Sequence, residues 1–173
     1  MPLDNLLAGY TATKAHGGIV VRGLALDSRQ VRSGDAFFAL QGGCEHGIRF
    51  ADAAMSAGAV VVIAEDGPGL DTASASEPVV RVDQLRENLG SIAARFFGDA
   101  SRSLKVAGVT GTNGKTSVVQ LLAQSLNYLG RRTATIGTLG AGLPGSFSSG
   151  ERTTPDAIEV QRLLAGFLDQ GAT

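Results

Sequence analysis

The sequence predicts an α/β fold with a parallel sheet, divided into a small first domain and the start of a second. Short apolar runs rich in valine and phenylalanine alternate with alanine- and leucine-rich segments of helical period. A polar stretch at residues 99–103 separates a complete helical pattern from a new apolar run. The glycine-rich segment GTNGKT, residues 111–116, lies between an apolar run and a helical pattern.

The first domain is expected over residues 1–102. Strands are predicted at 19–26, 35–40 and 60–65, with a helix over 50–59 between the last two. A further strand at 79–82 leads into a helix over 83–98, for which Asp83 is the expected N-cap and Gly98 the end. Its apolar side chains recur at helical spacing and predict one core-facing surface, formed by Leu85, Leu89, Ile92, Phe96 and Phe97.

The second domain is expected over residues 103–173. It begins with a strand at 105–110, the glycine-rich loop and a helix over 116–130. The apolar side chains of that helix recur at helical spacing: Val118, Val119, Leu122, Leu126 and Leu129, with Gly130 just past its end. Because only two strands are predicted beside it, this apolar face is expected to be uncovered and the region after residue 103 to be poorly packed or self-associating. A strand is expected at 133–140. Its end overlaps the segment GTLGAG, residues 137–142, and that segment indicates a turn. An exposed, mobile loop over 141–152 then precedes a last helix, with Pro155 at its first position and Gly171 past its end.

Composition is that of a globular chain: 173 residues, 43% of them apolar, with a net charge of −1. The basic residues are scattered and form no positively charged stripe of the kind that binds nucleic acid. There is no apolar run of membrane-spanning length and no signal-peptide pattern, so we expect a cytoplasmic protein without nucleic-acid or membrane partners. The single cysteine, Cys44, excludes an internal disulfide, and two histidines give no zinc-ligand spacing.

The segment GTNGKT favours phosphate binding. Backbone N–H groups and the positive end of a helix dipole converge on such a loop, and Gly111 and Gly114 permit its tight path. Lys115 supplies a point charge for the outer phosphates, and the Thr116 hydroxyl is a ligand for magnesium. The usual pattern has glycine where this chain has Val109, so the loop is a variant. The alternative is a plain glycine turn between strand and helix.

The stretch VAGVTGTNGKTSVVQLL, followed by TATIGTLG and TTPDA, resembles the Mur ligases of peptidoglycan synthesis. The segment LDSRQVRSGDAFFALQG, before an apolar helix and GAVVVIAE, is similar to their domain that binds a uridine-diphosphate sugar. The resemblance is greatest to the branch that adds the third residue of the stem peptide. It implies that residues 1–102 bind the UDP-sugar and that 103–173 begin an ATPase domain of P-loop type.

The resemblance assigns ATP binding to the loop, namely to Thr110, Gly111, Thr112, Asn113, Gly114, Lys115 and Thr116, with Lys115 as the catalytic residue. It also implies that Leu26 and Ser28 hold the uridine nucleotide. A serine hydroxyl can both donate to and accept from uracil or phosphate oxygens. Without the resemblance, the Asp27-Ser28-Arg29 segment indicates a turn at the end of a strand.

Two further groups are aligned with substrate-binding segments of the family. In GGCEHG, residues 42–47, the candidates are Gly43, Cys44 and Glu45, and His46 stands where relatives commonly have aspartate. A solvated loop without ligand contact is the alternative. In TTPDA, Thr153 and Thr154 match a pair that binds the muramoyl peptide, with Arg152 beside them. Thr154 is also a natural helix N-cap before Pro155.

By resemblance, the activity is an ATP- and Mg²⁺-dependent amide ligation. The substrate carboxylate becomes an acyl phosphate, which the amine of an amino acid attacks. Diaminopimelate is the expected amino acid, with lysine as the alternative, and the full-length enzyme is expected to be a monomer. The chain resembles an N-terminal fragment and is expected to be inactive alone. Two alternatives are a stand-alone UDP-sugar-binding module and a small P-loop NTPase.

Overall fold

The computed structural model describes residues 1–13, 16–43, 45–67, 70, 78–144 and 155–173. The chain divides into two compact units, Met1–Phe96 (the first unit) and Phe97–Thr173 (the second unit). The predicted α/β class with a parallel sheet is confirmed. Among the described residues, no helix combines the length and the apolar character needed to cross a bilayer.

The first unit is built on a four-stranded parallel sheet whose spatial order follows the sequence. Its strands are β1 (Gly23–Ala25), β2 (Asp35–Ala39), β3 (Val61–Glu65) and β4 (Val79–Val82). Central strands of parallel sheets are buried on both faces, which explains why β2 and β3 are nearly continuous apolar runs. All four strands fall within the predicted segments, although β1 is shorter than predicted.

Helices α1 (Leu3–Leu7), α2 (Ala51–Ser56) and α3 (Leu85–Phe96) complete the first unit. The predicted core face of α3 buries Leu85, Leu89 and Ile92. The predicted N-cap Asp83 is wrong, because the helix begins at Leu85 and the residue before it is Gln84, with φ of 49°. Gly98 has φ of 82°, as expected for a residue past a helix end.

Helix α1 was not predicted, although its buried leucines recur at helical spacing. Arg95 of α3 holds the end of this helix. Its Nη1 atom donates to the carbonyl oxygens of Leu6 at 2.9 Å and Ala8 at 2.8 Å. Its guanidinium also lies 5.1 Å from the centre of the Tyr10 ring. Carbonyls at a helix end have no partner within the helix, so one side chain satisfies the end of α1 and joins it to α3.

Replacing Arg95 with methionine is expected to destabilise the first unit by about 1–3 kcal/mol, because the carbonyls lose a charged donor while the aliphatic packing is kept. Urea unfolding followed by circular dichroism measures the change. Arg32→Met is the matched control, since the Arg32 side chain is exposed. Equal losses of stability in the two variants would show that the contact with α1 contributes nothing.

The second unit contains α4 (Lys115–Tyr128), an antiparallel hairpin of β5 (Thr135–Gly137) and β6 (Gly140–Gly142), and α5 (Ala157–Asp169). The hairpin turn lies within GTLGAG, where a turn was predicted, so the predicted strand over 133–140 is divided. Gly130 and Gly171 both have positive φ past helix ends, as predicted. Most of the predicted loop over 141–152 lies outside the described residues.

The predicted strand at 105–110 is wrong. A strand needs a ladder of hydrogen bonds to a neighbour, and the described residues offer none beside this segment. A cavity of about 300 Å³ is lined by residues 104–109, by α4 and by residues 133–136. Val106 is 62% exposed. The apolar run that predicted a buried strand therefore lies in an open part of the second unit.

The apolar face of α4 is largely uncovered, as expected. Ala123 is the buried residue of this helix, while Val118, Leu122 and Leu129 are exposed. Periodicity indicates which face a helix can bury, but burial requires a partner element. The last helix is better covered, since α5 buries Ile158 and Phe167.

Candidate functional site

Several predicted substrate residues lie together at the carboxyl edge of the four-stranded sheet. Leu26 and Ser28 follow β1, and Gly43 and Glu45 lie in the loop that follows β2. Because the strands are parallel, these two segments emerge at the same edge. Ligands of open parallel sheets bind outside the carboxyl ends of the strands. The fold thus brings the predicted residues of two separate motifs to one edge.

The segment after β1 forms a compact turn. Ser28 opens a 3₁₀ helix, Ser28–Gln30, and the Asp27 carboxylate caps it by accepting from the Arg29 N–H at 3.0 Å. The same carboxylate accepts from Arg29 Nε at 2.9 Å and Nη2 at 2.7 Å. These hydrogen bonds and the carboxylate charge raise the pKa of the exposed Arg29. Asp27 and Arg29 thus bind each other, and the half-buried Ser28 lies between them.

The loop after β2 is closed by its own backbone. Gln41 and His46 form an antiparallel bridge, and the Gly42 N–H donates to the Glu45 carbonyl at 2.9 Å. A Cβ atom at Gly42 would lie 2.6 Å from that carbonyl oxygen, so only glycine fits there without a shift. Gly43 and Glu45 are exposed at the tip. Cys44 lies outside the described residues.

His46 closes this loop from inside. Its buried imidazole accepts from the Ile48 N–H at Nδ1, at 3.0 Å, and its Nε2 lies 2.8 Å from the Glu65 carbonyl oxygen. An Nδ1 that accepts is unprotonated, so the proton of the neutral ring is on Nε2 and is donated to that carbonyl. Sequence reasoning treated His46 only as a departure from the family. Its position just before a helical turn was the available signal.

Two charged residues complete a polar group that we call the edge cluster: Gln41, His46, Glu65 and Arg86. The Glu65 carboxylate accepts from the Gln41 N–H at 2.8 Å and from the Arg86 N–H at 2.9 Å. The Arg86 guanidinium donates to the Gln41 carbonyl at 2.6 Å. Sequence reasoning missed Glu65 and Arg86, because neither belongs to a local motif.

In the second unit, the predicted phosphate loop has the expected backbone. Gly111 has φ of 146°, and Gly114, with φ of 78°, is the N-cap of α4. Lys115 is the first residue of that helix, and its Nζ donates to the Gly111 carbonyl at 2.5 Å. Residues 110–116 are all exposed. Free N–H groups of the first helical turn therefore face an accessible loop that carries a lysine.

The loop's capacity to hold magnesium depends on Thr116. Its exposed hydroxyl is an oxygen donor of the kind that Mg²⁺ accepts, and Mg²⁺ at nucleotide sites takes its other ligands from phosphate oxygens and water. Across the described ranges, no group of three or more His, Cys, Asp or Glu side chains is arranged to hold a metal ion. The residues thus fit a magnesium ion that arrives with a nucleotide.

The predicted muramoyl-peptide residues, Thr153 and Thr154, lie outside the described residues, as does Arg152. The start of the following helix corrects the predicted cap. Asp156 is the N-cap of α5 and accepts from the Glu159 N–H at 2.9 Å, so neither a Thr154 cap nor Pro155 at the first position is right. Asp156 is followed three residues later by Glu159, which is a capping-box pattern. The prediction missed this pattern because it placed the start of the helix at Pro155.

Comparison with known proteins matches segments of both units to one family. The model described as "Mur ligase family, catalytic domain" matches residues 20–97, and that described as "Mur ligase middle domain" matches residues 109–173. The two matches together cover most of the chain, including the edge cluster and the phosphate loop.

Curated relatives agree with these matches. The chain is 47% identical to the UDP-N-acetylmuramoyl-L-alanyl-D-glutamate--2,6-diaminopimelate ligase of Ectopseudomonas mendocina, over 99% of this chain and 34% of the relative. It is 44% identical to the ligase of the same name from Pseudomonas aeruginosa, over 92% of this chain and 33% of the relative. The chain therefore spans about a third of the length of these relatives.

Solved structures show the same likeness. A diaminopimelate ligase of the same name matches all of this chain and 34% of its own, with a TM-score of 0.80 and 29% identity. A UDP-N-acetylmuramoylalanyl-D-glutamyl-2,6-diaminopimelate--D-alanyl-D-alanyl ligase from Acinetobacter baumannii matches 94% of this chain and 32% of its own, with a TM-score of 0.56 and 25% identity. With two family matches, these relatives and this fold, the chain belongs to the Mur ligase family.

Proposed function

We propose that this chain supplies the sugar-nucleotide site and the phosphate loop of an ATP-dependent ligase that joins diaminopimelate to UDP-N-acetylmuramoyl-L-alanyl-D-glutamate. The observation that carries the proposal is the 47% identity, over nearly the whole chain, to a ligase named for this reaction. The reaction serves peptidoglycan synthesis. Because ATP and UDP-sugars are cytoplasmic metabolites, we place the activity in the cytoplasm.

The first unit is assigned the UDP-sugar. Leu26 and Ser28 follow β1 at the edge where the loop that carries Gly43 and Glu45 also begins. Cys44, which lies outside the described residues, is assigned to the same ligand. The apolar Leu26 suits the face of a uracil ring, and the Ser28 hydroxyl suits uracil or phosphate oxygens. Backbone groups of the exposed loop tip supply further donors and acceptors. The arrangement combines one apolar surface with a few polar groups, as small-molecule sites do.

The second unit is assigned the triphosphate of ATP, through residues 110–116. Amides at the start of α4 bind phosphate oxygens, and the Lys115 ammonium neutralises charge on the group that is transferred. Magnesium held by the Thr116 hydroxyl and by phosphate oxygens adds further charge neutralisation. The transfer places phosphate on the substrate carboxylate, and the amine of diaminopimelate then displaces it. Thr153 and Thr154 are assigned to the muramoyl peptide.

Calorimetric titration of the chain with UDP-N-acetylmuramoyl-L-alanyl-D-glutamate tests the first assignment. Ser28→Ala is expected to weaken binding about tenfold, the effect of one hydrogen bond to a charged or polar ligand group. Ser33→Ala is the matched control. It makes the same chemical change just before β2, at the opposite edge of the sheet, and is expected to leave the affinity unchanged.

Two results would contradict the proposal for the first unit. One is absence of binding by the unsubstituted chain at millimolar ligand. The other is equal affinity in the Ser28→Ala and Ser33→Ala variants, which would remove the turn after β1 from the site.

A further inference from the structure

We propose that the edge cluster holds the two described ends of the loop after β2, residues 41–43 and 45–47, in their ligand-binding conformation, so that His46 and Arg86 are positioning residues for the sugar nucleotide. The inference rests on the proposed function of the first unit. Both residues act through the loop and not by touching the ligand. The hydrogen bonds of the cluster fix the two ends of the loop.

The first end of the loop is fixed at Gln41. Its N–H donates to the Glu65 carboxylate and its carbonyl accepts from the Arg86 guanidinium, at 2.8 Å and 2.6 Å. Both peptide groups beside its Cα are therefore bound by charged side chains, which make stronger hydrogen bonds than neutral partners. Gln41 thus has fixed partners at the end of β3 and in the first turn of α3.

The second end of the loop is fixed at His46. One ring nitrogen caps the helical turn Gly47–Phe50 through the Ile48 N–H, and the other binds the Glu65 carbonyl. Glu65 therefore holds both ends, using its carboxylate for Gln41 and its carbonyl for His46. Gly43 and Glu45, the described members of the predicted contact set, are among the loop residues that stay exposed.

Fixing both ends of an exposed loop affects binding through entropy. A loop that is already in its bound conformation loses less freedom when the ligand arrives, and this difference appears directly in the affinity. The hydrogen bond from the Arg86 guanidinium to the Gln41 carbonyl is exposed, and water could satisfy that carbonyl equally well. A purely structural role does not require this hydrogen bond, because the sheet beneath is already buried on both faces.

The decisive comparison uses two arginines of the same helix. Arg86 binds the loop, whereas Arg95, about 13 Å further along α3, binds the end of α1. In titrations of the full chain with UDP-N-acetylmuramoyl-L-alanyl-D-glutamate, Arg86→Met is expected to weaken binding about tenfold. Arg95→Met, although it destabilises the unit, is expected to keep the affinity at temperatures where the chain is folded.

Three substitutions of His46 separate its two hydrogen bonds. Asparagine can keep the cap on Ile48, glutamine can keep the link to Glu65, and alanine keeps neither. We expect the affinity to fall most in His46→Ala and less in His46→Asn and His46→Gln. If all three His46 variants and Arg86→Met bind the ligand as tightly as the unsubstituted chain does, the proposal is overturned.

Amide hydrogen exchange of the ligand-free chain gives a second readout, independent of the proposed function. Arg86→Met and His46→Ala are expected to speed exchange at Gly42 and Gly47, whose N–H groups donate to the Glu45 and Leu40 carbonyls, but not in β2 or β3. Unchanged exchange at these glycines would overturn the inference. Faster exchange together with no ligand binding by the unsubstituted chain would overturn the proposed function alone.

Discussion

Replacing Lys115 with alanine is expected to weaken binding of Mg-ATP by the chain about 10- to 100-fold, the effect of losing a charged hydrogen-bond donor to phosphate. The ammonium lies against the loop carbonyls of Gly111 and Thr112, at 2.5 Å and 3.4 Å. It can exchange these neutral acceptors for phosphate oxygens without moving far. Calorimetric titration or displacement of a fluorescent ATP analogue measures the loss.

Lys105→Ala is the control for this prediction. It removes the same charge from an exposed lysine of the second unit that lies outside the loop, and it is expected to change the affinity less than twofold. If both variants bind Mg-ATP equally, the segment is a plain glycine turn and the nucleotide assignment is wrong.

Replacing Phe37 with alanine is expected to destabilise the first unit by about 3–5 kcal/mol, enough to remove much of the stability of a domain of this size. Phe37 is 2% exposed. It is the largest buried side chain of a cluster otherwise made of small residues: Ala25, Val31, Ala39, Ala51, Ala54, Ala59, Val62 and Ala64. The buried alanine and valine side chains cannot extend into the space that a missing ring leaves. Of the side chains that the structure describes, only the partly buried ones packed against the cluster, Ile48, Met55, Leu70 and Val79, could reach into the cavity.

Urea unfolding of the first unit measures this cost, and Phe37→Leu is the matched control. Leucine keeps most of the buried volume and is expected to lose clearly less stability than alanine. A cost below about 1 kcal/mol for Phe37→Ala would show that α2 collapses onto the sheet and fills the space. The core of the unit would then be more deformable than its burial indicates.

The sequence was most informative where structure depends on neighbouring residues. Strand β4 has the predicted bounds, because the short apolar run of Val79–Val82 lies between a proline and polar residues. The backbone of the predicted phosphate loop was also predictable, because its glycines, lysine and threonine are contiguous. The turn at GTLGAG needed only its glycines, although the strand β6 that follows the turn was not predicted.

The errors occur where structure depends on distant partners. The apolar run at 105–110 predicted a strand, yet Val106 is exposed and no described strand pairs with the run, because a strand depends on a neighbouring element. The edge cluster is another case. Glu65 and Arg86 join Gln41 across 24 and 45 residues, and no local pattern records such pairings. The residues that hold the candidate site together were therefore less predictable than those expected to touch the ligand.

The strand order of the first unit has a consequence for how the chain folds during synthesis. Because β1, β2, β3 and β4 lie in the sheet as they occur in the sequence, each new strand pairs with the one just made. In this sheet, each strand after β1 pairs with the strand that precedes it in the sequence, and the connections between paired strands are short. The first unit ends at Phe96, before the phosphate loop begins. Its sheet can form on the ribosome, in the direction of translation, before the nucleotide loop has left the exit tunnel.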